Sequence, residues 1–135
     1  DGTKLAYTLR GITSPEHREV YVVQADGSGD IRLMASGVSG EQPAWSPDGK
    51  RLVLASVRGG FSAIYLVNVD GSGLTPLTKH EDNASYPQWL PGEEKIVFVQ
   101  GGELYLMNPD GSRQIRLDAT ATGINDSPPF ACAPR

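Results

Sequence analysis

Three copies of one β-type unit, Gly-, Pro- and Asp-rich turns between short apolar runs, and the lack of a competing helix-period pattern predict an all-β protein of the propeller class. The first landmark is the run Val20-Tyr21-Val22-Val23-Gln24-Ala25-Asp26-Gly27-Ser28, which returns as Ile64-Tyr65-Leu66-Val67-Asn68-Val69-Asp70-Gly71-Ser72 and as Leu104-Tyr105-Leu106-Met107-Asn108-Pro109-Asp110-Gly111-Ser112. Its tyrosines recur at intervals of 44 and 40 residues. The second landmark is Pro43-Ala44-Trp45-Ser46-Pro47, then Pro87-Gln88-Trp89-Leu90-Pro91, then Pro128-Pro129-Phe130-Ala131-Cys132, with aromatics 44 and 41 apart. Two landmarks sharing a period of about 40–45 residues identify propeller blades.

In the middle unit a first strand is expected over residues 44–46, a second over 51–56, a third over 63–68 and a fourth over 74–78. The second and third strands, Leu52-Val53-Leu54-Ala55 and Ile64-Tyr65-Leu66-Val67, are continuously apolar, as a sheet covered on both faces requires. Stacked blades supply that cover. The fourth strand alternates (Ile31-Arg32-Leu33, Ile115-Arg116-Leu117), consistent with one face meeting solvent at the outer rim. Ser46-Pro47-Asp48-Gly49 is a turn between the first two strands: Pro pre-sets φ, the Asp carboxylate accepts a nearby N–H, and Gly takes positive φ. The three Asp-Gly-Ser triplets turn the third strand into the fourth, and Gln100-Gly101-Gly102-Glu103 closes a tight hairpin between the second and third.

One domain is expected over 1–135, with repeats 1–47, 48–91 and 92–135. Asp1-Gly2-Thr3-Lys4-Leu5 aligns with Asp48-Gly49-Lys50-Arg51-Leu52, so the chain enters at a second strand, while 127–133 aligns with 42–48 and offers a first strand. Three blades are too few for a ring, and open edges invite association. A homodimer closing six blades by exchange of these terminal strands is therefore expected, with a nine-bladed trimer or a fragment of a longer parent as alternatives.

These residues resemble the TolB-like β-propeller repeat, whose blades carry Pro-x-Trp-Ser-Pro-Asp-Gly-Lys, then Ile-Tyr-x-Met-Asn-x-Asp-Gly-Ser-Gly, then Arg-Leu-Thr. The likeness is strongest over 43–78, and the third unit departs from it with Leu90-Pro91-Gly92-Glu93 and Pro129-Phe130-Ala131-Cys132. The resemblance implies a propeller used for protein–protein contact, as in the periplasmic Tol system, or as a gating domain beside a serine peptidase. It also favours a periplasmic or extracytoplasmic location.

Composition narrows the function. The 135 residues are 39% apolar and 21% charged, with a formal net charge of −4 and no basic cluster, which excludes disorder and a nucleic-acid footprint. No apolar run is long enough for a membrane helix. Asp1-Gly2-Thr3-Lys4 is neither an initiator Met nor a signal peptide, so processing of a preceding segment is expected. Cys132 has no disulfide partner and reads as a small buried apolar residue. Gly37-Val38-Ser39-Gly40-Glu41 fails the Gly-x-Ser-x-Gly elbow at its last position, so no serine hydrolase centre is expected. His17 and His80 lack partners at metal-ligand spacing and read as solvated loop residues. The Asn-x-Asp-Gly-Ser runs carry too few carboxylates for calcium and read as turns. Tyr21, Tyr65, Tyr105, Trp45 and Trp89 recur with the repeat and read as packing between blades. No catalytic residue, metal or cofactor is assigned.

The connections between second and third strands differ most, spanning 12, 9 and 5 residues, and they share an end with the blade-to-blade crossovers. Variable loops on a rigid scaffold are where binding resides. A non-enzymatic scaffold is expected to bind a protein or peptide there through Arg10, His17, Glu41, Arg58, His80, Glu81, Asp82, Tyr86, Asn125 and Asp126. The alternatives are a sugar or metal held in a central funnel by His80, Glu81, Asp82 and Asp126, or a designed or excised set of blades without a ligand.

Overall fold

The computed structural model of the chain describes residues 2–10, 17–34 and 38–117. These form three antiparallel sheets. The first holds β1 (Lys4–Arg10), β2 (Arg18–Gln24) and β3 (Ile31–Arg32). The second holds β4 (Glu41–Trp45), β5 (Arg51–Arg58), β6 (Phe61–Asn68) and β7 (Thr75–Pro76). The third holds β8 (Ala84–Trp89), β9 (Ile96–Gln100), β10 (Glu103–Met107) and β11 (Ile115–Arg116). Strands pair in sequence order within each sheet, which is the meander of a propeller blade. The predicted terminal strand over 127–133 lies outside the described residues, as does Cys132.

The sheets pack through two clusters whose members occupy matching repeat positions. Val20, Val22 and Leu33 of the first sheet meet Leu52, Leu54 and Val67 of the second. One blade further on, Ile64 and Leu77, with Leu66 against them, meet Ile96, Phe98 and Met107. The middle sheet is thus covered on both faces, which explains its unbroken apolar strands: Leu52, Val53, Leu54 and Ala55 are all fully buried. Trp89 is buried in the second junction, and the Arg51 guanidinium lies 5.4 Å from its ring centroid. Tyr65 and Tyr105 pack against the clusters of the sheets before them, as expected. Tyr21 stacks on Tyr7 of its own sheet as Tyr105 does on Phe98, centroids 5.6 Å apart in both pairs, but it is not among the side chains packed against either cluster.

The Asp-Gly-Ser turns perform the predicted task and a second one. Asp70 Oδ1 accepts the Ser72 amide at 2.9 Å and its hydroxyl at 2.6 Å, and Asp26 does the same for Ser28. Gly71 and Gly111 hold φ near +84° and +80° while lying on the preceding blade. A Cβ at Gly111 would sit 2.8 Å from the Leu77 carbonyl oxygen, and one at Gly71 would sit 3.5 Å from that of Arg32.

Three expectations about strand limits change. The hairpin of the middle blade runs to Arg58 and resumes at Phe61, paired with each other across a two-residue Gly59-Gly60 turn. What read as a nine-residue connection is two longer strands. Gly59 and Gly60 have φ of 59° and 84°, and Gly101 and Gly102 have 59° and 82°, so the two blades use the same tight turn. The inner strand β4 begins at Glu41, ahead of the expected 44–46. The outer strands are only two residues long, and one further hydrogen bond to the neighbouring strand follows each, from the amides of Leu33, Leu77 and Leu117 to the carbonyls of Val20, Ile64 and Leu104 at 2.9, 2.8 and 2.8 Å.

Candidate functional site

The Gly59-Gly60 and Gly101-Gly102 turns, the strand starts Glu41 and Ala84 and the crossover between β7 and β8 lie at one end of the sheets, opposite the Asp-Gly-Ser turns. Hydrogen bonds join these parts across blades. The Gly40 amide donates to the Arg18 carbonyl at 2.7 Å, the Arg18 amide to Ser39 Oγ at 3.1 Å, and Ser56 Oγ to the Ser39 carbonyl at 2.8 Å. Arg18 and Glu41 form an ion pair at 3.1 Å. The crossover after β7 contains a single 3-10 turn, His80–Asp82, ended by Asn83 in the left-handed region (φ 51°, ψ 48°). That geometry, which Asn tolerates better than most residues, turns the Asn83 side chain onto β6. Its Oδ1 accepts from the Ser62 amide and hydroxyl, both at 3.2 Å.

His80 lies half-buried in this crossover and makes two contacts that its place in the sequence does not signal. Its Nδ1 lies 3.3 Å from the Phe61 carbonyl oxygen and its Nε2 lies 3.4 Å from the Tyr65 hydroxyl. His17, next to β2, is also not a free loop side chain: its Nδ1 is buried with no hydrogen-bond partner among the described residues. Arg10 ends β1 opposite Arg18, and Arg58 ends β5 opposite Phe61. Phe61 is 55% exposed.

The inner strands carry the feature that sequence reasoning missed. Gln42 on β4 and Tyr86 on β8 both have positive φ, 57° and 53°, and the pairing register shifts across each of them. Positive φ is uncommon outside Gly, Asn and Asp and costs about 1–3 kcal/mol where the surroundings enforce it. The two positions are one repeat apart, each just before the proline of the Pro-x-Trp landmark, and they touch: the Tyr86 amide donates to Gln42 Oε1 at 2.8 Å. Tyr86 remains 49% exposed. A recurring place before Pro was visible in the sequence, but neither Gln nor Tyr signals a left-handed backbone.

Arg10, Glu41, Arg58, His80 and Tyr86 thus share the crossover end, and Arg18 and Phe61 join them. Glu81 and Asp82 point their charge locally. Glu81 pairs with Lys79 at 3.4 Å, and Asp82 Oδ2 accepts the Lys79 amide at 2.8 Å. Asn125 and Asp126 lie outside the described residues. Among the described residues no three His, Cys, Asp or Glu side chains are placed to share a metal ion. At the opposite end, hydrogen bonds from Ser28, Ser46, Ser72 and Ser112 hold the carboxyls of Asp26, Asp48, Asp70 and Asp110 below their ordinary value of 3.8.

Comparison with solved structures places these sheets in company. A protein described as TolB from Agrobacterium tumefaciens is 25% identical with a TM-score of 0.75, over 86% of this chain and 45% of that one. TolB from Acinetobacter baumannii is 20% identical with a TM-score of 0.66, over 85% and 29%. An oligogalacturonate lyase from Vibrio parahaemolyticus is 19% identical with a TM-score of 0.63, over 93% and 37%. The chain spans less than half the length of each, and one of the three is an enzyme. No curated protein matches it. The TolB beta propeller domain family matches residues 1–134, in agreement with three meander sheets stacked through repeat-related clusters, and the chain belongs to that family.

Proposed function

We propose that the chain is a non-enzymatic binding scaffold that takes a protein or peptide at the crossover end of its blades. The observation that supports this most is the pair of exposed aromatics, Phe61 and Tyr86, at the same end of the sheets as the charged residues Arg58, Arg18 and Glu41, on hydrogen-bonded strand ends. Aromatic side chains are enriched at the centre of protein-binding surfaces, with polar residues at the rim. Strain at Gln42 and Tyr86 on the inner strands agrees with a site there, since enforced positive φ concentrates where ligands are met. Likeness to TolB proteins favours the same reading and an extracytoplasmic location. In this reading the chain works as a six-bladed ring of two copies, its crossover ends together forming the mouth of the ring.

Peptides selected from a displayed library against the immobilised protein provide the test. Phe61→Ser and Tyr86→Ser are each expected to weaken selected peptides at least about tenfold, the loss typical of a hot-spot side chain. Ser72→Ala, at the far end, is expected to leave them unchanged. Peptides that bind both Ser variants as well as the parent would overturn the reading.

A further inference from the structure

The outer edges of the blades repeat one arrangement, and the middle blade departs from it. Opposite the recurring tyrosine, the outer strand sets Arg32 against Tyr21 and Arg116 against Tyr105, but Pro76 against Tyr65. In the first blade Arg32 Nη1 lies 3.2 Å from Glu19 Oε1, and the other oxygen of that carboxylate accepts the Tyr21 hydroxyl at 2.8 Å. In the third blade Arg116 Nη1 lies 2.9 Å from Glu103 Oε1. The repeat position of Glu19 and Glu103 is Ala63 in the middle blade, so both members of the ion pair are replaced there.

A groove of about 530 Å³ opens at that place, with Tyr65, Pro76, Leu77, His80 and Asp82 among its lining and Gln114 reaching it from the next blade. Its size is that of a small-ligand site. Both walls belong to adjacent blades of this chain, so the groove does not depend on what flanks the first and third. Its polar groups are chiefly acceptors. The Phe61 carbonyl can only accept, so His80 Nδ1 carries the proton in their contact at 3.3 Å, and Nε2 of the neutral ring is the acceptor for the Tyr65 hydroxyl at 3.4 Å. With its proton so used, the Tyr65 oxygen keeps its lone pairs for an incoming donor. Gln114 Nε2 donates to the Leu77 and Gly111 carbonyls at 3.3 and 3.1 Å, which leaves Oε1 unpaired among the described residues. Asp82 spends Oδ2 on the Lys79 amide, and its Oδ1 is unpaired among the described residues. Lys79, at the rim, is engaged with Glu81 at 3.4 Å.

We infer that this groove takes an arginine side chain of another polypeptide, in the place that Arg32 and Arg116 hold in the neighbouring blades. A guanidinium is a planar fork of N–H donors with no acceptor, which suits a site offering a carboxylate, a phenol oxygen and an amide oxygen. The Tyr65 ring supplies a face for the cation, and Pro76 and Leu77 supply apolar cover for the methylene stem. Neither Phe61 nor Tyr86 lines the groove, so the inference stands apart from the peptide site proposed above.

Amide NMR titration with N-acetyl-arginine-N-methylamide tests it, beside the lysine and citrulline analogues. Citrulline keeps the shape of arginine and loses its charge. The arginine probe is expected to shift the amides of Tyr65, Leu77, His80 and Asp82 saturably, with a dissociation constant of roughly a millimolar, the scale of a single side-chain contact. The other two analogues are expected to bind at least about tenfold more weakly. Asp82→Asn keeps an acceptor for the Lys79 amide and removes the charge, and is expected to weaken the arginine probe at least about fivefold. Pro76→Arg places the neighbouring blades' side chain in the groove and is expected to abolish saturable binding, whereas Phe61→Ser is expected to leave it unchanged. Absence of saturable shifts, equal affinity for the citrulline analogue, unchanged affinity in Asp82→Asn, or shifts centred on Phe61 and Tyr86 would each overturn the inference.

Discussion

Truncating Trp89 measures how much of the fold resides between blades. The indole is 6% exposed and sits among Ala44, Val53, Ile64, Ile96 and Phe98, so it belongs to both sheets it separates. A tryptophan side chain buries about 150–250 Å², which at about 25 cal/mol per Å² amounts to roughly 4–6 kcal/mol of transfer free energy. Its Nε1 is buried without a hydrogen-bond partner among the described residues, and an unsatisfied donor gives back about 1–3 kcal/mol. Adding the cavity left behind, Trp89→Ala is expected to cost about 3–5 kcal/mol. Trp89→Phe removes the unsatisfied donor while keeping a ring in the junction and under Arg51, so its cost should stay below about 1.5 kcal/mol. Urea denaturation at one fixed protein concentration reads both values, the concentration being held because self-association would shift the midpoint. A loss under about 1 kcal/mol for the Ala variant, or equal losses for Ala and Phe, would refute the account of Trp89 as a packing wedge.

Gly111→Ala should be markedly worse than Gly49→Ala by thermal melting: both hold positive φ, costing about 1–2 kcal/mol, but only the Cβ at 111 meets a backbone carbonyl at 2.8 Å. Equal losses would show that the turn does not bear on the preceding blade. Acid should weaken the protein through its serine-bonded aspartates. Their folded-state titration lies below the unfolded value of 3.8, so the stability they contribute is complete above that value and is lost as pH falls through the folded one. By carbon-detected NMR, Asp70 should titrate below 3.8 and move toward it in Ser72→Ala; a parent value at or above 3.8 contradicts the assignment. Replacing residues 11–17 by Gly-Gly should leave the fold intact, because Arg10 already pairs with Arg18 as Arg58 pairs with Phe61 and Gln100 with Glu103. Loss of the native circular dichroism spectrum would assign that segment a structural role.

The repeat was legible because it is carried by side chains that the fold needs in every blade. Leu52 and Leu54 had to be apolar for one junction and Val53 and Ala55 for the other, so burial on both faces was written as an unbroken run. Strand ends were harder to read. Val57-Arg58-Gly59-Gly60-Phe61-Ser62 looks like a loop, since its glycines and polar residues hide the cross-strand pairing that holds Arg58 to Phe61. The bulged backbone at Gln42 and Tyr86 is invisible for a different reason: the residue types at those positions do not favour it, and the hydrogen bond that joins them runs between two blades. His80 misled because its partners are a main-chain carbonyl and a tyrosine far along the chain, which spacing rules for side-chain ligands do not register.

The two-residue Gly-Gly turns bear on the thermodynamics of recognition. Where long loops form a binding surface, association must arrest backbone torsions at about 1–2 kcal/mol per residue. Here Arg58 and Phe61 hang from hydrogen-bonded strand ends, and Asn83 is tied to Ser62, so those torsions are already fixed before any partner arrives. What remains to be immobilised is side chains, at about 0.5–1.5 kcal/mol each. Affinity at this end should then follow the identity of residues 58, 61, 80 and 86 rather than the length of the connections between strands. Lengthening the Gly59-Gly60 turn would loosen a surface that currently needs almost no ordering, and the entropy of binding would register the change before the enthalpy did.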